Sequence, residues 1–179
     1  MKALSGREAI DAIARTGALS DAQVQGPLSL RLLCDNVETC STEIRLKRCQ
    51  IELFDAPCIA FTRPVTLEDC TLARTEFFSS YFLHGLSIRG TRFMSPVDFH
   101  CGGHNGVDFP VRILDTVFEG FANFFDCWYM GPVEVMRCKF QRGTNLLGNK
   151  TMPYRVKFDV SPVVLDNEGL MDIDGESAA

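Results

Sequence analysis

Four side chains able to bind a metal fall within the stretch HCGGHNGVD (100–108): His100, Cys101, His104 and Asp108. Imidazole, thiolate and carboxylate are the donors that zinc takes. One short loop would have to supply every ligand, however, and its paired glycines give the donors no fixed frame. Cys101 and His104 could act as nucleophile and base, but no third group is placed to orient the imidazole. The stretch reads as a turn, and neither a metal nor a cofactor is expected.

Eight cysteines, at 34, 40, 49, 58, 70, 101, 127 and 138, include no CxxC pair. That argues against a zinc knuckle and fits reduced thiols in a cytoplasmic chain. Three of them recur in one pattern: EIRLKRCQI (43–51), VTLEDCTL (65–72), LSIRGTRF (86–93), VRILDTVF (111–118) and VEVMRCKF (133–140). The Cys or Thr stands at 49, 70, 91, 116 and 138, in steps of 21, 21, 25 and 22. Small apolar side chains in a crowded column explain these cysteines better than redox or metal chemistry.

The residues just before that column are Arg48, Asp69, Gly90, Asp115 and Arg137. If successive repeats stack, Arg48 meets Asp69 and Asp115 meets Arg137, which makes a ladder of ion pairs. Asp69 and Asp115 would lie two levels apart, about 9–10 Å. That spacing just allows an inverting glycosidase pair, so a glycan-acting enzyme using Asp98, Asp108 or Asp115 is one alternative function.

The steps of 21 to 25 residues imply the elements that must hold these groups. Alternating apolar residues mean strands, and a short repeat of strands means a solenoid whose levels bury each other's apolar faces. Large apolar residues also recur about every five positions, at Leu67, Leu72, Phe77, Phe82, Ile88 and Phe93, and again at Ile113, Phe118, Phe124, Tyr129, Val135, Phe140 and Leu146. If Phe77, Phe82, Phe124 and Tyr129 point inward, their neighbours Phe78, Tyr81, Phe125 and Trp128 point outward, with His100 on the intervening level. An exposed group of rings is a candidate interface. These five residues are the predicted binding site, for a protein partner or a second copy in a homodimer.

The small-x-large unit, clearest in FANFFDCWYMGPVEVMRCKFQRGTNL (121–146), resembles the pentapeptide-repeat proteins over roughly 43–150. The resemblance implies a right-handed parallel β-helix, four-sided and without enzymatic activity. It also implies an alternative function, because some members mimic duplex DNA and bind a type II topoisomerase. The expected architecture is all-β, with about 5–6 coils of 21–25 residues in 21–165. A capping helix is expected within 1–20 and an acidic, flexible tail over 166–179. In SGREAIDAIART (5–16), Ser5 and Glu8 form a capping box, Ile10, Ile13 and Ala14 an apolar stripe, and Gly17 the C-cap. PYRVKFDV (153–160) is expected to continue the pattern from Pro132.

The 179 residues carry a net charge of -5 and 14 phenylalanines, so Phe is the expected core filler. An acidic chain is a poor binder of phosphate backbones or anionic lipid, so direct nucleic-acid binding is not expected. No apolar run approaches the ~18 residues of a membrane span. The N-terminus lacks the apolar core of a signal peptide, which points to the cytoplasm.

Overall fold

A computed structural model describes residues 1–175. It is mostly β-structure, with parallel strands in stacked sheets and one short helix, an arrangement consistent with a parallel β-helix or solenoid. In one sheet, Ile44–Lys47, Val65–Glu68, Leu86–Arg89, Val111–Leu114 and Val133–Met136 follow one another in parallel. Ile44 lies beside Val65, Val65 beside Leu86, Leu86 beside Val111 and Val111 beside Val133. The repeat read from the sequence is therefore the register of this sheet. A second sheet runs in parallel through Gln50–Asp55, Thr71–Glu76, Arg92–Phe93, Val117–Phe118 and Lys139–Phe140.

The two sheets meet at a corner that the alternation did not reveal. Arg48, Asp69, Gly90, Asp115 and Arg137 all have φ between 50 and 59°. This left-handed conformation turns the chain between one strand and the next. It suits Gly and is tolerated by Asp; at Arg48 and Arg137 the stack imposes it. The residues just after the corner, Cys49, Cys70, Thr91, Thr116 and Cys138, are all buried. A second column of left-handed corners runs through Cys58, Ser79, Cys101, Asp126 and Asn149.

The large residues spaced about five apart are buried, and their rings stack in ladders. Phe93, Phe118 and Phe140 lie 4.9 and 4.8 Å apart, centroid to centroid and within 3° of parallel. Phe54, Phe77, Phe99 and Phe124 form a second ladder at 5.2, 5.1 and 4.7 Å. Offset-stacked rings add to area burial by about 0.5–1.5 kcal/mol per pair.

The helix Gly6–Thr16 rests on strand Ala22–Ser29. Its capping box is complete: Glu8 N–H donates to Ser5 Oγ at 3.3 Å, and Ser5 N–H to Glu8 Oε2 at 2.8 Å. Gly17 closes it at φ 68°. The buried stripe is Gly6, Ala9, Ile10 and Ile13, while Ala14 faces solvent. Gly6 is needed because a Cβ there would lie 1.9 Å from Pro27 O. The segment 1–20 is more than a cap: Lys2–Ser5 pairs with Ala22–Gln25, and Ala18–Ser20 with Arg45–Lys47.

At the other end PYRVKFDV does not continue from Pro132. Lys157 and Phe158 pair instead with Trp128 and Tyr129, and Val163–Leu165 with Glu134–Met136. The chain makes an excursion at 150–156 before rejoining the stack. Nor do the described residues of the acidic tail hang free: Thr144 N–H donates to Leu170 O at 2.9 Å and Leu147 N–H to Met171 O at 2.8 Å. Residues 176–179, the rest of that segment, lie outside the described residues.

Phe118 is the centre of its ladder and fully buried. Phe118→Ala is expected to destabilise the protein by about 3–5 kcal/mol, read from the urea midpoint at constant slope.

Candidate functional site

Two columns of rings run side by side along one edge of the stack. The first occupies the position just before the second left-handed corner. There Phe78 meets His100 at 5.5 Å, edge to face, and His100 meets Phe125 at 5.2 Å in the same geometry. Phe125 meets Tyr154 at 6.1 Å. The backbone beside them ties level to level: Ser79 N–H donates to His100 O at 2.7 Å, and Cys101 N–H to Phe125 O at 3.0 Å.

The second column begins beyond that corner, where Ala60, Tyr81, Gly103 and Trp128 are bridged in parallel. Gly103 has no side chain to fill its place, and none would fit: at φ 95° a Cβ would stand 2.6 Å from Trp128 O. The ring of His104, itself at φ 56°, fills the gap. It lies 4.2 Å from Tyr81 and 5.6 Å from Trp128. The 25-residue step thus brings an imidazole into a column where the register position could hold no side chain. Burial pushes the His104 pKa down, so the neutral ring is favoured. Beyond Trp128 the Lys157 ammonium sits 3.9 Å above the indole, a cation–π contact. The indole N–H donates to Asp159 Oδ1 at 3.0 Å.

The predicted binding residues are therefore brought to one edge, with one correction. Phe78 is 39% exposed, and Tyr81, His100 and Trp128 are half-buried, but Phe125 is only 6% exposed. The 150–156 excursion covers it, held by Asp126 N–H donating to Tyr154 O at 3.2 Å. Tyr154, 55% exposed, becomes the outward ring of that column. Tyr154, His104 and Lys157 were not legible as site residues, because the excursion and the filling of Gly103's place depend on neighbouring levels.

Beside the first column runs a third, two residues earlier in each level. Asp55, Glu76, Asp98, Asn123 and Asn145 occupy its in-register positions. The amide end is satisfied: Asn145 Nδ2 donates to Asn123 Oδ1 at 2.7 Å, and Asn123 Nδ2 to Asp98 Oδ1 at 2.9 Å. At the acidic end Glu76 lies between two other carboxylates. Burial, with the charges of Asp98 and Asp55, pushes its pKa up.

The alternative chemistries find less support. His100 and His104 are engaged by different ring columns, and no group of three metal-capable side chains occurs among the described residues. Asp115 is gripped by Arg137 at 2.6 and 3.0 Å, with Arg89 at 3.8 Å. These guanidinium groups hold its carboxyl below the usual range, which suits neither general acid nor base. Arg48 pairs with Asp21, at 2.7 Å through both nitrogens, rather than with Asp69. Its side chain leans toward the preceding level, not the following one.

Because Glu76 titrates higher folded than unfolded, its ionisation destabilises the fold. The effect is absent below the unfolded glutamate range and grows as pH rises through the folded value. Glu76→Gln is expected to raise Tm at pH 7 by about 1–2 °C, from a like-charge cost of about 0.5 kcal/mol. The advantage should vanish by pH 3–4, as thermal unfolding across pH would register.

Comparison of the chain with protein-family models, curated proteins and solved structures found no match.

Proposed function

We propose that this protein is a non-enzymatic binding module. In this reading the chain winds as a right-handed, four-sided β-helix of about five to six coils. It engages a protein partner through the edge formed by Phe78, Tyr81, His100, His104, Trp128 and Tyr154. The observation that carries it is the pair of ring columns: rings stacked level on level at 4.2 to 6.1 Å, with Phe78 and Tyr154 left facing solvent.

The physical support is preorganisation. A ring held by rings above and below loses little conformational freedom on binding, and that loss is a main cost of association. Aromatic residues dominate the energetics of protein interfaces. Exposing them on a rigid β-surface costs solvation without a gain in folding.

The test compares native protein with Phe78→Ser/Tyr154→Ser. The variant is expected to keep its Tm within about 4 °C, since both substitutions lie at the surface. It is also expected to lose the partners that immobilised native protein retains from cell extract. A folded variant that retains the same partners at the same level overturns the reading.

A further inference from the structure

We propose that the partner on this face is a second copy of the same chain. A two-fold axis would cross the face near His100 and His104 and set the two stacks antiparallel. This inference rests on the reading of the face as a docking surface and names its occupant.

The two ends of the face are opposite in charge. At one end Asp55, Glu76 and Asp98 stand in register on adjacent strands. None of the three is in an ion pair among the described residues. Carboxylates stacked side by side repel, and most acids elsewhere on the stack are matched with a base. At the other end Lys150 and Arg155 are exposed. They too form no ion pair among the described residues; Arg155 instead donates to the Lys150 carbonyl at 3.4 Å.

Relief matches charge. Residues 150–155 are exposed without a break and stand out from the basic end as the excursion over Phe125. The acidic end has a hollow of about 200 Å³ lined by Glu38, Cys58, Ala60, Ser79 and Tyr81. His100 lies midway along the first column, with Phe78 before it and Phe125 and Tyr154 after it. Levels are about 4.8 Å apart, so an axis at His100 carries the prominence of one copy over the hollow and carboxylates of the other. The reverse contact forms by symmetry, and the assembly closes at two copies. Setting the stacks parallel would place carboxylates against carboxylates, which opposes that arrangement.

The experiment is a charge exchange read by light scattering on a sizing column. Native protein is expected at twice the 20.0 kDa of one chain. Glu76→Lys and Arg155→Glu are each expected to run as folded monomers, with dimer dissociation constants raised at least tenfold. Each places like charges at both symmetry-related contacts. An equal mixture of the two variants should regain the dimer, because the heterodimer restores both oppositely charged pairs. Circular dichroism and an unchanged Tm confirm that each variant is folded.

A native monomer up to its solubility limit overturns self-pairing and leaves the docking face to the capture comparison. A native dimer that persists in both variants, or a mixture that stays monomeric, also overturns it. A dimer indifferent to Phe78→Ser/Tyr154→Ser overturns the docking reading of this face as well.

Discussion

Parallel hydrogen bonding between adjacent levels fixes nearly everything else in this protein. Strands about 4.8 Å apart set each side chain directly above the one 21 to 25 residues earlier. A favourable neighbour then pays twice, above and below, and an unfavourable one is repeated in the same way. Phenylalanine ladders fill the core because flat rings stack at this spacing. Cysteine and threonine line the corner because only small side chains fit between strand and turn. The same rule acts outside, where it gathers rings into columns, ion pairs into ladders and three carboxylates into a repelling row.

How much of this was legible depended on whether a feature is local to a level or created between levels. The strands at 44–47, 65–68, 86–89, 111–114 and 133–136 were readable from alternation, as were the buried Cys or Thr after each. The capping box was readable because Ser5 and Glu8 reach each other within one turn. The left-handed corners were hidden, since Arg48, Cys58 and Ser79 carry no local preference for that conformation. Phe125 was misplaced for a related reason. Its alternation does put it on the outside, but the chain returns over it some 25 residues later. Register at 157–165 was misread because proline spacing suggested continuity where the chain instead takes an excursion.

The two ends of the stack are finished differently. At the first, a short amphipathic helix lays Ala9, Ile10 and Ile13 over strand Ala22–Ser29, and a glycine permits contact closer than any other residue could make. At the last, residues 163–173 hydrogen-bond to the preceding level while Val163, Leu165 and Leu170 stay exposed. The edge carrying the ring columns runs between these ends, so its surface is independent of how either is closed.

The chain contains a single tryptophan, and it lies within the ring column, beneath a lysine ammonium and hydrogen-bonded to Asp159. Indole emission responds to neighbouring charge and to water. The ultraviolet fluorescence of the whole protein therefore reports from one place. Light emitted by this molecule is a local signal from the ring-bearing edge, obtained without a dye and without altering a residue.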